Sequence, residues 1–377
     1  MRSNARRVGP FDLIARVLAE RFHRSEASDG LRAIVTCATR WEDVVARARG
    51  ELVLPAFGAA ARDLGLLGSL EPKVRASLAI AHAASLERNG RIREQLAAFV
   101  GVLNHAGIEP VLLKGGIRLL DGLYPDSGWR SMRDLDVLVP EAAFGDALKA
   151  LGDAGYRLLR PLEPKHKEAL VQRDGDAVPF EIHRELFATG RRQRLLRGSD
   201  VLSGSRTATI EDARIRLPST VHQLVHLIGH SQIGHSGYAY GRIMLRDRLE
   251  AALLQWQADD MEWEGVCERF DAAGYRRPLL VVLLALSDGG FRSRPMRGRI
   301  DPVTAIQQRR IALQARSAAM TRLSLYPAWC AVVLKLQIME REAGWPRITQ
   351  TVRRFLLDRK ERQRIAKILV RGGPRQW

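Results

Sequence analysis

Cysteine is scarce in this sequence, and its few copies are widely separated. Cys37, Cys267 and Cys330 are odd in number, and no CxxC pair occurs. This pattern excludes a zinc ribbon and offers no disulfide framework. A reduced, cytoplasmic location is therefore the expectation.

Long apolar runs are also missing. The basic N-terminal region carries Asp12, Glu20 and several arginines through its apolar part, so it lacks the apolar core of a signal peptide. The most apolar later stretches begin at Pro278 and Leu325, and both are shorter than the roughly 20 residues that a membrane-spanning helix needs. We expect no transmembrane segment and interpret both stretches as buried helices.

Positive charge is what the sequence has in excess. Lys and Arg number 60 against 42 Asp and Glu, which gives a formal net charge of +18. Such a charge attracts nucleic acid, nucleotide phosphates or an acidic membrane surface, without choosing among them. A hydrophobic fraction of 46% with 27% charged residues excludes wholesale disorder.

Hydrophobic spacing divides the chain into three parts, with no repeat or low-complexity linker between them. In residues 1–106 this spacing predicts helices, the longest of which begins near Pro72 and ends at Gly107. Residues 107–190 predict the order strand–helix–strand–helix–strand–strand, which indicates a small mixed α/β unit. Residues 191–377 predict mainly helices after a short strand-like segment, RTATIEDARIRLP. The expected fold class is α+β.

The candidate catalytic residues are carboxylates of the α/β unit. Asp134 and Asp136 lie two apart on the predicted strand RDLDVLVP, so they share one face while the alternate apolar residues enter a core. Adjacent like charges are unfavourable unless a cation lies between them, and Mg²⁺ takes oxygen ligands. Glu181 and His183 share one face of a later strand. A third carboxylate there would complete a two-metal site. His183 could contact the substrate or satisfy a neighbouring backbone group.

A glycine pair precedes these carboxylates. Gly115 and Gly116 lie between a predicted strand and a predicted helix, where glycine permits close backbone approach and helix N–H groups suit phosphate. Lys114 places an ammonium beside this turn, and Arg130 places a guanidinium before the strand that carries the carboxylates. The plainer interpretations are a surface lysine and a solvated edge strand.

The stretch KGGIRLLDGLYPDSGWRSMRDLDVLV resembles the signature of the uncharacterised nucleotidyltransferase family within the DNA-polymerase-beta-like nucleotidyltransferase superfamily. The matching positions are Leu113, Lys114, Gly115, Leu123, Tyr124, Pro125, Gly128, Arg130, Asp134, Asp136, Leu138 and Val139, with Glu181 and His183 on a later strand. The resemblance implies a minimal nucleotidyltransferase core with a small mixed sheet, flanked by N- and C-terminal helical regions.

The resemblance also implies an activity. It implies transfer of a nucleotidyl group from an NTP to an acceptor, with release of pyrophosphate and with Mg²⁺ as cofactor, two ions being expected and Mn²⁺ an alternative. Asp134, Asp136 and Glu181 would be the catalytic, metal-binding carboxylates, and Gly115 and Gly116 would form the turn beneath the triphosphate. The base of the NTP, ATP included, stays open. So does the acceptor, whether small molecule, peptide or RNA.

Two features outside the core bear on partners. His222, His226 and His230 recur every four residues on one helix face, with His235 beyond them. Such histidines usually pack or cap, and among functional roles the lining of an acceptor pocket is preferred to a metal site. The basic C-terminal stretch 351–377 is interpreted first as a solvated amphipathic helix, and its alternatives are contact with anionic lipid or nucleic acid.

The rival hypothesis is a non-catalytic protein that binds nucleic acid or peptide on a degenerate core. The clustered acids argue against it, because a pure binder of anions gains nothing from them.

Overall fold

A computed structural model describes residues 8–37, 40–162, 168–187, 191–295 and 299–317. The predicted basic C-terminal helix, the apolar stretch that begins at Leu325 and the residue Cys330 lie outside these ranges.

The N-terminal part of the chain forms helices, as its apolar spacing predicts. The longest helix begins with Pro72 in its first turn, where a backbone N–H would have no partner within the helix and its absence in proline costs nothing. Gly107 follows the end of this helix with a φ of 74°. These helices are α1 (Pro10–Arg21), α2 (Asp29–Thr36), α3 (Trp41–Gly50), α4 (Leu54–Asp63) and α5 (Pro72–His105).

A mixed seven-stranded sheet follows, in the spatial order β3-β4-β5-β2-β1-β7-β6. The central β2 pairs antiparallel with β1 and parallel with β5, and β1 pairs parallel with β7. A further helix, α6 (Phe144–Asp153), lies between β2 and β3 in sequence. The strands are β1 (Val111–Leu113), β2 (Leu135–Leu138), β3 (Arg157–Leu158), β4 (Glu168–Gln172), β5 (Phe180–His183), β6 (Ser205–Ile210) and β7 (Ala213–Pro218).

One face of the sheet is covered by α5 and α6. Val137 of β2 and Ile182 of β5 are fully buried in a hydrophobic cluster with Leu96 of α5 and Leu151 of α6. The C-terminal half of α5 therefore packs on the sheet, while its N-terminal half, including Leu78, packs with α1 and α4 in a second cluster. A single long helix thus joins the two hydrophobic cores.

The opposite face of the sheet looks toward the C-terminal helices. Leu113 of β1 and Leu138 of β2 belong to the same buried cluster as Val225 of α8 and Leu249 of α10. These later helices are α7 (Gly198–Ser203), α8 (Thr220–Gly229), α9 (Gly237–Tyr240), α10 (Leu245–Gln257), α11 (Asp260–Ala272), α12 (Arg276–Asp288) and α13 (Pro302–Arg316).

The predicted α+β class is confirmed, with helical regions on both sides of a mixed sheet. The sheet takes two strands from beyond residue 190, because the β6–β7 hairpin pairs with β1. The division at residues 106 and 190 stays a prediction.

In the parts of the chain that are described, no helix combines the length and the apolar character that a bilayer crossing requires.

The loop that leads into β2 is fastened to α5. The buried Asn89 side chain donates hydrogen bonds to the carbonyl oxygens of Ser127, at 2.5 Å, and Arg130, at 2.8 Å. His82, also on α5, lies 3.0 Å from the Asp126 carboxylate. Trp129 is fully buried. These contacts fix the position at which the chain enters β2.

We expect Asn89→Leu to lower the free energy of unfolding by about 1–3 kcal/mol, because it removes the amide that donates to the buried Arg130 carbonyl oxygen and to the partly buried Ser127 carbonyl oxygen. Urea denaturation followed by circular dichroism measures this change. The control Arg91→Leu places the same side chain at an exposed position of α5 and changes stability by less than about 0.5 kcal/mol. Equal losses in the two variants would contradict this role of Asn89.

Candidate active site

The pairing of β2 with β5 brings two carboxylates side by side. The strands run parallel with Asp136 opposite Glu181 and Leu138 opposite His183. Adjacent strands lie roughly 4.8 Å apart, so side chains of paired residues on one face are direct neighbours. Two residues that are 45 positions apart in the chain therefore meet on the face that looks toward the C-terminal helices.

The turn after β1 brings a lysine to the same place. A 3-10 helix (Lys114–Leu119) begins directly after β1, and Lys114 takes a left-handed backbone conformation with a φ of 48°. A Cβ atom on Gly116 would lie 2.6 Å from Leu112 Cδ1, so the backbone of the turn packs directly against the Leu112 side chain of β1. Only glycine permits that approach, which explains the predicted importance of the pair.

Two nitrogen-bearing side chains converge on one oxygen atom of Asp136 and one of Glu181. The Lys114 ammonium lies 2.5 Å from Asp136 Oδ1 and 3.7 Å from Glu181 Oε2. His183 Nε2 lies 2.8 Å from the same Asp136 oxygen and 3.5 Å from the same Glu181 oxygen. Asp136 and His183 are buried, whereas Lys114 and Glu181 are partly exposed. Solvent therefore reaches the cluster on the side of Lys114 and Glu181 and is excluded on the side of Asp136 and His183.

The charges of this cluster stabilise one another. Burial alone would raise the pKa of Asp136, but the Lys114 ammonium and the hydrogen bond from His183 outweigh burial and hold that pKa well below its usual range. Burial would lower the pKa values of Lys114 and His183, and their carboxylate partners raise both instead. These opposite shifts show that Lys114 and His183 stabilise the charged form of Asp136 and that Asp136 stabilises theirs.

Three side chains of the cluster fit a divalent cation. Asp136, Glu181 and His183 each offer one ligand atom, and these atoms lie within 4.8 Å of one another. Carboxylate oxygens are the ligands that Mg²⁺ prefers, and imidazole extends the donor set to softer metals. The set is compatible with a divalent metal and leaves its identity open.

Asp134, the other predicted ligand, lies directly before β2 with an exposed side chain. Local loss of water raises its pKa, and the charges of Asp136 and Glu181 raise it further. These carboxylates thus repel one another, and a cation among them would relieve that repulsion. Asp134 is not one of the three residues whose ligand atoms converge most closely.

The structure places the Arg130 guanidinium against the turn, where it pairs with an acidic residue of the C-terminal helices. Its guanidinium would lie 3.0 Å from a Cβ atom on Gly115 and pairs with the buried Glu250 of α10. Arg118 lies 3.8 Å from the other Glu250 oxygen, and the pKa of Glu250 is lowered because Arg130 and Arg118 outweigh its burial. Glu250 therefore anchors the turn to the C-terminal helices.

Sequence reasoning missed Glu250. Its signal is a lone acid in the apolar stretch LEAALLQW, where a charge requires a buried partner.

Three histidines form a row that runs from the interior to the surface. The rings of His226 and His230 lie 5.7 Å apart, those of His230 and His235 lie 4.2 Å apart, and the last two share a 2.7 Å Nε2–Nε2 contact. His230 begins one turn of π-helix (His230–Gly234) after α8, a feature common at functional sites. The charges of Lys114 and Asp136 act on His226 and His230, so the row adjoins the carboxylates.

His222, which the sequence pattern groups with these histidines, lies elsewhere. Its ring faces Gly204, and its Nε2 lies 3.5 Å from Arg269 Nη2. The i, i+4 spacing therefore brings only part of the histidine set together.

The buried His226 makes folding sensitive to acid. Burial, followed by the nearby charges of Lys114 and His183, lowers its pKa to about 3 from 6.5. The unfolded chain therefore binds a proton that the folded chain does not as pH falls below 6.5. Stability is lost over that window.

We expect His226→Phe to reduce the loss of unfolding free energy between about pH 7.5 and about pH 5 by about 1–2 kcal/mol. Urea denaturation at both pH values measures it. The exposed His105→Phe serves as the control and keeps the wild-type pH dependence. An unchanged pH dependence in His226→Phe would show that His226 is not held neutral.

Comparison with known proteins bears on the same part of the chain. No curated protein matches it. A family model described as an uncharacterised nucleotidyltransferase matches residues 38–288, more than half of the 377 residues. The match includes the turn after β1, the carboxylates on β2 and β5, and the histidine row. The resemblance of the sequence motif is confirmed, and the chain belongs to the uncharacterised nucleotidyltransferase family.

Proposed function

We propose that this protein is a Mg²⁺-dependent nucleotidyltransferase that transfers a nucleotidyl group from an NTP to an acceptor and releases pyrophosphate. The observation that carries the proposal is the in-register pairing of Asp136 with Glu181 beside the glycine turn. Family membership supports nucleotidyl transfer in general, and the carboxylate geometry supports the use of a divalent metal.

Asp134, Asp136 and Glu181 would hold the metal in this proposal. When bound, divalent ions neutralise phosphate charge and stabilise both the attacking and the leaving oxygen. Asp136 is fixed by its hydrogen bond from His183, so its carboxylate is oriented before substrate arrives. Asp134 and Glu181 are the more exposed members and face the solvent side from which an NTP would enter.

Residues of the turn would receive the triphosphate. Gly115 and Gly116 permit phosphate oxygens to approach the backbone, and Lys114 carries an ammonium on a flexible stem within reach. Arg130 supports the turn through its pairing with Glu250. His183 completes the set by keeping Asp136 ionised.

The chemical step is an in-line displacement at the α-phosphorus. A bond forms between the acceptor oxygen and the α-phosphorus, and the bond from that phosphorus to the α–β bridging oxygen breaks, so pyrophosphate leaves with the electron pair. The proton of the acceptor hydroxyl passes to Glu181, the partly exposed carboxylate.

The acceptor would enter along the row formed by His226, His230 and His235. Burial and the charge of Lys114 lower the pKa values of His226 and His230, so these imidazoles are neutral and present hydrogen bonds without adding positive charge. Neutral imidazoles suit a hydroxyl group. The contacts leave the rest of the acceptor open among a small molecule, a peptide and RNA.

We expect the double variant Asp134→Asn/Asp136→Asn to weaken Mg²⁺-dependent NTP binding at least about tenfold, because it removes the charges that hold the cation. Isothermal titration calorimetry with and without Mg²⁺ measures it. The matched control Asp146→Asn/Asp153→Asn makes the same change at two exposed positions of α6 and keeps wild-type binding. Undiminished Mg²⁺-dependent binding in the first variant would refute the site and favour the non-catalytic rival.

Incubation with a host extract and labelled NTPs tests the reaction itself. We expect label from the α-phosphate of an NTP to appear in the acceptor and label from the γ-phosphate to appear in pyrophosphate. Glu181→Gln lowers the transfer at least about a hundredfold, which is the usual contribution of a general base. Transfer of the γ-label to the acceptor would instead show a phosphoryl transferase.

A further inference from the structure

The Lys114 ammonium occupies the position that a cation needs in the acidic cluster. It lies 2.5 Å from Asp136 Oδ1 and 3.7 Å from Glu181 Oε2. His183 Nε2 meets the same two oxygen atoms from the buried side, at 2.8 and 3.5 Å. The two carboxylate oxygens are thus shared between the Lys114 ammonium and the His183 imidazole of the chain itself.

A divalent ion and this ammonium are incompatible on one oxygen atom. Mg²⁺ binds carboxylate oxygen at about 2.0–2.1 Å, so an ion on Asp136 Oδ1 would lie within a few ångströms of Lys114 Nζ. Like charges at that distance repel strongly in a partly buried site. For the ion to bind this oxygen, the ammonium has to leave it.

The backbone directs Lys114 to this place, while its side chain is free to leave. The φ of 48° is a strained conformation for a residue with a Cβ atom, and Gly116 is held in place against Leu112. The Lys114 side chain retains 21% of its accessible surface and has a flexible four-carbon stem. The ammonium can therefore move outward without any change in the strands.

We propose that Lys114 is an internal competitor for the metal, so that its ammonium and a divalent ion bind Asp136 Oδ1 in a mutually exclusive manner. This inference rests on the proposed metal-dependent function and goes beyond it. Binding of metal alone is weakened by the displacement of Lys114. A phosphate group beside the turn favours metal binding by holding the displaced ammonium.

The test is Mn²⁺ binding to the metal-free full-length protein, followed by the electron paramagnetic resonance signal of free Mn²⁺. We expect Lys114→Met to bind Mn²⁺ at least about tenfold more tightly than wild type, because no ammonium has to be displaced. Lys114→Arg keeps the charge and keeps weak binding. The control Lys149→Met removes an exposed lysine of α6 and leaves Mn²⁺ affinity unchanged.

A second measurement separates direct displacement from general charge repulsion. Reductive methylation at constant pH, analysed by mass spectrometry, reports the accessibility of each lysine. We expect Mn²⁺ to increase methylation of Lys114 several-fold in wild type and to leave Lys149 unchanged, and Asp136→Asn to abolish the Mn²⁺ effect.

The outcomes distinguish the two proposals. Mn²⁺ binding that depends on Asp136, combined with equal affinities for wild type and Lys114→Met, would overturn the competition and leave the proposed function standing. Unchanged Lys114 methylation under saturating Mn²⁺ would overturn it as well. Mn²⁺ binding that is unaffected by Asp136→Asn would refute the metal site itself, and the proposed function with it.

Discussion

The parallel pairing of β2 with β5 is the constraint on which the site depends. Its register places Asp136 beside Glu181 on one face of the sheet. Two neighbouring carboxylates in a partly buried place require positive charge, because neither desolvation nor mutual repulsion is otherwise offset. The Lys114 ammonium supplies that charge at Asp136, and the Arg160 guanidinium supplies it 3.5 Å from Glu181 Oε1. His183 adds a hydrogen bond to Asp136 Oδ1. The strand order brings the two carboxylates together, and the geometry of the turn brings the Lys114 ammonium to them.

A second ion-pair cluster holds the turn in relation to the helices. Glu250 of α10 pairs with Arg130 and lies close to Arg118, both of which come from the α/β unit. A buried carboxylate that lost these partners would cost several kcal/mol, so this cluster specifies how the C-terminal helices dock. The helices that carry the histidine row are thereby fixed relative to the carboxylates.

The sequence predicts the site better than it predicts the sheet. Alternation of polar and apolar residues identified the faces of Asp136 and Glu181, because a two-residue period depends only on local geometry. The register between their strands could not be predicted, since it depends on contacts across 45 positions of chain. The same holds for β4, whose residues alternate too weakly, and for Arg130, whose buried partner Glu250 lies 120 residues away.

The net charge of +18 describes the whole protein, and the charges at the candidate site have to be considered separately. Asp134, Asp136 and Glu181 lie beside Lys114, His183 and Arg160, the last of which is 3.5 Å from Glu181 Oε1, so the carboxylates of the candidate site have basic partners of their own. Under the proposed function, the overall positive field would raise the rate at which an NTP encounters the protein. A cation between the carboxylates and the triphosphate would then hold the nucleotide at the site. The local charges of the site, rather than the overall excess of arginine, would in that case determine which anion is retained.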